Sequence, residues 1–210
     1  MQHVWDFFSK GGIIMYPLLL CSIIGITIVI EKFYTLRRKR VIIPAVVKVV
    51  ENIGNLEDLK TAAYICNQNP GPFSNLIGVT IEKHGEEKEI IKEALNDQGR
   101  QEIHSLEKGL VILETIASIA PLLGLLGTVL GILHVFNIIS AMGIGQAEAL
   151  AGGISEALIT TIAGLFIGIP AVVAYNYFTQ KAEGLVLEIE RHSNNLLGKL
   201  SRLSPNQDQR

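Results

Sequence analysis

Between Glu114 and Glu148 the chain runs for thirty-three residues without an Asp, Glu, Lys or Arg, and His134 is the only ionisable side chain in that stretch. A surface helix of a water-soluble domain needs a polar face, and this segment has none. About twenty apolar residues, rising 1.5 Å each, cross the hydrocarbon layer of a bilayer, so the segment reads as a membrane span. Two others resemble it. Ile13 to Ile30 is eighteen residues without charge, followed by Glu31 and Lys32, and Ala157 to Gln180 is twenty-four uncharged residues between Glu156 and Lys181.

Composition points the same way. Of 210 residues, 49% are hydrophobic and 18% charged, against roughly 25% charged in soluble domains. The mean hydropathy is +0.37. A formal charge of −2 lacks the basic excess of a nucleic-acid binder. Two cysteines, Cys21 and Cys66, are too few for a disulfide scaffold or a zinc site, and both read as packing residues.

The basic residues set an expected orientation, because short cytoplasmic segments are enriched in Lys and Arg. Arg37-Arg38-Lys39-Arg40 follows the first span, no Lys or Arg separates the second and third, and Lys181, Arg191, Lys199 and Arg202 follow the third. The N-terminus is therefore expected outside and the C-terminus inside. A cleaved signal peptide fits poorly, since its positive charge would precede a shorter apolar core. The organisation expected is a periplasmic arm over 1–12, a first span over 13–35 and a cytoplasmic helical segment over 36–108. A second span over 109–140, a periplasmic turn over 141–153, a third span over 154–180 and a cytoplasmic amphipathic helix and tail over 181–210 complete it.

Within the cytoplasmic segment, breaks are expected at Pro44, Gly54 and Asn69-Pro70-Gly71-Pro72. Glu82 to Lys108 is dense in charge and reads as a solvated helix running into the second span. Leu185, Ile189, Leu196, Leu200 and Leu203 recur at helical spacing and predict an amphipathic continuation of the third. No period-two strand pattern stands out. The fold class expected is an all-α membrane protein.

No phosphate-binding loop, zinc-protease motif or nucleophile elbow is present, so neither an enzyme nor a cofactor or metal site is expected. His3, His84, His104 and His192 lie in polar segments and read as solvated surface. The informative region is the second and third spans. Ala117, Pro121, Gly124, Thr128 and Gly131 recur every three or four residues, as do Ala157, Thr161, Gly164, Gly168 and Ala171. Each set falls on one helix face, giving two stripes of small residues with one hydroxyl apiece. Gly127 with Gly131 and Gly164 with Gly168 are GxxxG pairs that let helix backbones approach, and a threonine in such a helix often bonds only its own backbone. Pro121 and Pro170 are candidate kinks.

With a turn centred near residue 145, Thr128 and Thr161 fall at nearly equal depth, as do His134 and Glu156 nearer the outer side. A carboxylate at membrane level is costly to bury and marks a functional candidate. Glu156 reads equally well as an ion-pathway residue and as a structural group, placed at a helix N-terminus or paired with His134. No Asp, Glu, Lys or Arg occurs between Thr115 and Ala147 or between Ala157 and Gln180, so a mid-membrane proton carrier would have to come largely from a partner.

Ala120-Pro121-Leu122-Leu123-Gly124-Leu125-Leu126-Gly127-Thr128-Val129-Leu130-Gly131-Ile132 resembles the second-span signature of the MotA/TolQ/ExbB proton-channel family. Ile154-Ser155-Glu156-Ala157-Leu158-Ile159-Thr160-Thr161, then Gly164-Leu165 and Ile169-Pro170-Ala171-Val172-Val173-Ala174-Tyr175-Asn176, resemble its third-span signature. The three-span layout is similar to the TolQ/ExbB branch. Leu130 stands where the family commonly has Trp. The resemblance implies pore threonines at Thr128 and Thr161 and the span-three glutamate at Glu156. It implies a ring of five subunits in the bacterial inner membrane around a dimer of an ExbD/TolR-like single-span partner that carries a membrane aspartate. A TonB- or TolA-like protein would receive the work, and membrane lipids would surround the ring. The competing reading from the residues is a non-conducting scaffold assembled through small-residue packing. A solute carrier finds little support, because no inverted repeat is visible.

Overall fold

The computed structural model describes residues 11–143 and 147–203. The expected N-terminal arm with His3, the centre of the 141–153 turn and the end of the tail lie largely outside them. Every element among the described residues is helical: α1 (Met15–Thr35), α2 (Arg38–Val41), α3 (Pro44–Asn52), α4 (Leu56–Gln68), α5 (Pro72–Glu82), α6 (Lys88–Glu107), α7 (Leu110–Met142) and α8 (Ala147–Leu203). Three of them, α1, α7 and α8, are long and apolar enough to cross a membrane. The chain divides into two compact units. One holds the described residues up to Glu31 together with Gly109–Tyr177; the other holds Lys32–Lys108 and the chain from Phe178 onward.

In the apolar unit, the first turns of α1 dock on the two later helices. Ile14, Met15 and Leu18 form a cluster with Ala120 of α7 and Ala163 of α8, flanked by Leu123 and Ile167. Alanine is what permits this approach: Ala120 is fully buried and presents only a methyl group to the incoming helix. Large side chains sit outside. Leu125 is 59% exposed and Phe166 79%, an apolar exterior that suits lipid or a protein neighbour and not water.

The polar unit follows the ordinary rule. Pro44 opens α3 and Pro72 opens α5, each at a first helical position, where the missing N–H is not needed. At the start of α4, the Asp58 carboxylate accepts the N–H groups of Gly54 and Asn55, both at 2.9 Å. Those bonds hold its pKa below the ordinary value. Consecutive helices α3 to α6 pack in chain order, burying Val46, Val50, Phe73, Leu76, Ile77, Ile91, Leu95 and Leu106. Leu185, Ile189, Leu196 and Leu200 of α8 are buried as their spacing foretells. Lys32 is fully buried, and its Nζ donates to Leu106 O at 2.9 Å. An ammonium at the C-terminal end of α6 meets a carbonyl that the helix itself leaves without a donor.

Three expectations need correcting. The charged helix does not run on into the second span: α6 ends at Glu107, and Gly109 takes φ +90° before α7 begins. Nor is α6 solvated all round, since Ile91, Leu95 and Leu106 are buried. His192 is not simply surface, because its ring meets Phe73 edge-on at 5.4 Å between centroids. In addition, helix resumes at Ala147, inside the segment read as a turn. The strong helix formers of Ala147-Glu148-Ala149-Leu150-Ala151 outweigh the glycines that follow.

Candidate functional site

The stripes of small residues meet each other, and the fit is tightest at the glycines. A Cβ added at Gly124 would lie 2.9 Å from Thr160 O and 3.3 Å from the Gly164 Cα. At Gly164 it would lie 2.6 Å from Ala120 O, at Gly131 2.8 Å from the Ala157 Cβ, and at Gly168 2.6 Å from the Pro121 ring. Real Cβ atoms do not approach that closely, so α7 and α8 touch backbone to backbone. In a bilayer such contact is the main source of helix association, because lipid offers no hydrophobic drive. Gly153 continues the seam outward, against Val135 and Gly131 O.

Thr161 is half-buried in this seam, and its hydroxyl donates across it to Gly124 O at 3.2 Å. Gly124 O is also the carbonyl that the Thr128 N–H addresses in a regular helix. Thr128 itself is half-buried, and its hydroxyl donates within its own helix to Leu125 O at 2.6 Å. The facing pairs Gly131 with Ala157, Gly127 with Thr160, Gly124 with Gly164 and Pro121 with Gly168 set Thr128 and Thr161 at nearly the same level, as the spacing predicts, while the Thr161 hydroxyl reaches to Gly124 O. Thr160, absent from the stripe read off the sequence, fills the space against Gly127. It is 1% exposed, with its hydroxyl on Ala157 O at 2.9 Å. The signal was in the chain: adjacent Thr160 and Thr161 both fit a three-to-four-residue spacing, and the seam is wide enough to take both.

Glu156 is half-buried and lies against the turn that leads into α1: its carboxylate occupies the place a Cβ on Gly12 would take. His134 is exposed, and among the described residues no hydrogen bond or ion pair joins it to Glu156. Pro121 is half-buried, Pro170 is exposed, and helix continues through both. Within the polar unit, Arg38 Nε donates to both carboxylate oxygens of Glu188, at 2.9 and 3.1 Å. Burial pushes the Cys66 thiol up to about 11, which removes it from thiolate chemistry at neutral pH.

Comparison with known proteins places this geometry. The family model described as the MotA/TolQ/ExbB proton channel family matches residues 69–191, which include α7 and the part of α8 that forms the seam. An ExbB homolog among the biopolymer transport proteins of Methanothermobacter thermautotrophicus is 33% identical over 89% of this chain and 67% of its own length. Biopolymer transport protein ExbB-like 1 of Synechocystis is 34% identical over 81% of the chain and 68% of its own length. The Tol-Pal system protein TolQ of Haemophilus influenzae is 44% identical over a shorter stretch, 44% of the chain and 40% of that protein. With an all-helical body, three apolar helices of spanning length and a close-packed glycine–threonine seam, the chain is a multi-pass membrane protein belonging to the MotA/TolQ/ExbB proton channel family.

Proposed function

We propose that this chain is the ring-forming subunit of an ExbB/TolQ-like energy-transducing motor in the bacterial inner membrane, with its N-terminus outside and its C-terminus inside. In this reading five copies enclose a dimer of an ExbD/TolR-like single-span protein, whose membrane aspartate carries the ion past Thr128, Thr161 and Glu156. A TonB- or TolA-like protein receives the work. The observation that carries the reading is the Thr161–Gly124 contact: a hydroxyl held at a fixed place between two helix stretches, 115–142 and 157–180, without Asp, Glu, Lys or Arg, able to hand a proton along without trapping it as a buried charge would. The driving force is of suitable size, since one charge moved across 100 mV is worth about 2.3 kcal/mol. Gly124, Gly127, Gly131, Gly164 and Gly168 keep the two helices rigidly paired while partners move.

A second reading has a specific observation behind it. Thr128, Thr160 and Thr161 all donate to backbone carbonyls, which is what a purely structural seam would also show. Native mass spectrometry of the detergent-extracted complex, expressed with and without an aspartate-bearing single-span protein encoded beside it, tests the motor. A pentamer that captures two copies of that protein is expected. A stable assembly that never takes one up would leave no mid-membrane titratable carrier and would favour the scaffold.

A further inference from the structure

The turn that leads into α1 is made of two glycines, and the helical packing of the apolar unit sets both on one face of α8. A Cβ on Gly11 would run into the Met15 side chain and lie 3.2 Å from the Ile159 Cγ2. On Gly12 it would coincide with the Glu156 carboxylate. Glu156 and Ile159 are three residues apart, hence neighbours on the helix surface. Gly12 has φ +64°, a left-handed conformation that any other L-residue adopts at a cost. Its carbonyl accepts the Met15 N–H at 3.3 Å and so begins the first turn of α1. Among the described residues no hydrogen bond or ion pair reaches the Glu156 carboxylate. The carboxylate lies against a wall made by the Gly12 backbone, with its Oε1 where a Cβ on Gly12 would stand.

The geometry points to Gly12 as a positioning residue for Glu156: its bare, left-handed backbone is the surface against which the carboxylate is seated. The inference rests on the ion-pathway reading of Glu156 for its functional consequence, but not for its structural content. Because the wall belongs to the start of α1, any movement of that turn moves the carboxylate's seat. The first helix then has a defined part in an ion path otherwise built from α7 and α8. A methyl group at position 12 takes the space of the carboxylate oxygen, so the Glu156 side chain must leave this seat to admit it.

The test uses the full complex in membranes, with two readouts. The first is reaction of Glu156 with an apolar carbodiimide, mapped by peptide mass spectrometry, with Glu114 and Glu148 of the same chain as references. The second is ion flux. Gly12→Ala is expected to speed labelling at Glu156 and to lower flux, each by about tenfold, the size one overpacked methyl group produces. Gly143 is the control, because it too has positive φ (+80°) but nothing within 4 Å of an added Cβ. Gly143→Ala is expected to change neither readout. Glu156→Asp draws the carboxylate back by one methylene, so Gly12→Ala combined with Glu156→Asp is expected to regain most of the flux that either change alone removes.

Unchanged labelling in an assembled Gly12→Ala complex would overturn the inference. So would a double variant that fails to assemble just as Gly12→Ala alone does, since the fault would then lie in the start of α1 and not in the carboxylate. If Glu156→Gln leaves flux intact, the ion-pathway reading of Glu156 falls. A labelling change in Gly12→Ala and its reversal in the double variant would still establish the seat.

Discussion

The two units of this protein are built by opposite rules. In the polar unit the interior is filled by large side chains, with Phe73, Ile77 and Leu196 fully buried, while most Glu and Lys face outward and Lys32 is the buried exception among the described residues. In the apolar unit the seam between α7 and α8 is glycine, alanine and threonine, and although Met15, Leu18, Leu113 and Ile116 are also buried, many of the large side chains are outside. Phe73 and Phe166 are 0% and 79% exposed. The difference is one of solvent. Water drives bulky apolar groups inward, whereas a hydrocarbon layer is indifferent to them and leaves close backbone contact as the gain from association. The same residue type is therefore structural in one unit and peripheral in the other, and α8, which contributes residues to both, follows each rule in turn.

The comparison breaks first at phenylalanine. Phe73→Ala should destabilise the polar unit by about 3–5 kcal/mol, read from thermal unfolding in detergent. Phe166→Ala should stay within about 0.5 kcal/mol, and an equal effect from the two would contradict the inside-out account. Glycine gives the next largest contrast, within the single helix α8. Gly164→Ala drives a methyl group toward Ala120 O and should cost about 1–3 kcal/mol, with weaker α7–α8 pairing. Gly184 has open space around an added Cβ, so Gly184→Ala should stabilise by about 0.5–1 kcal/mol.

The smallest effect sharpens the polar side. The Asp58 carboxylate has its pKa lowered below the ordinary 3.8, first by the Gly54 N–H and then by that of Asn55. Its contribution is thus fully present above that ordinary value and fades as pH falls through the depressed folded one. Hydrogen exchange at the first turn of α4 should quicken over that acid range, and Asp58→Asn should abolish the pH dependence. The apolar unit's glycine seam should show no comparable change.

How much of this was legible in the chain follows from what each feature depends on. The spans were legible because a bilayer demands a contiguous uncharged run. The breaks at the starts of α3 and α5 were legible because Pro44 and Pro72 fit a first helical position, where the missing N–H is not needed, whereas Pro121 and Pro170 are carried inside α7 and α8. The break at Gly109 was not, since an isolated glycine in a helical pattern is tolerated as often as it terminates, and Gly99 is indeed carried inside α6. The seam was legible from spacing, and so was its level, since the facing pairs Gly131–Ala157 and Gly124–Gly164 agree with a turn centred near residue 145. What the spacing did not encode is the hydroxyl bonding: Thr161 donates to Gly124 O and Thr128 to Leu125 O, and the two side chains do not bond each other. The seating of Glu156 against Gly12 was invisible, because it joins the start of the first span to the third and no local period encodes it.

The central claim is that the α7–α8 seam is an ion path and not only a joint, and Thr161→Val tests it most directly. Valine keeps the shape but removes the hydroxyl that reaches Gly124 O, so the pairing of the helices should survive. Ion flux would be measured in proteoliposomes holding the complex with its single-span partner, beside native mass spectrometry of the same preparation. The account predicts an unchanged assembly whose flux falls at least tenfold, equivalent to about 1.4 kcal/mol of lost stabilisation along the path. An unchanged assembly with undiminished flux would contradict it and leave the seam as a joint alone.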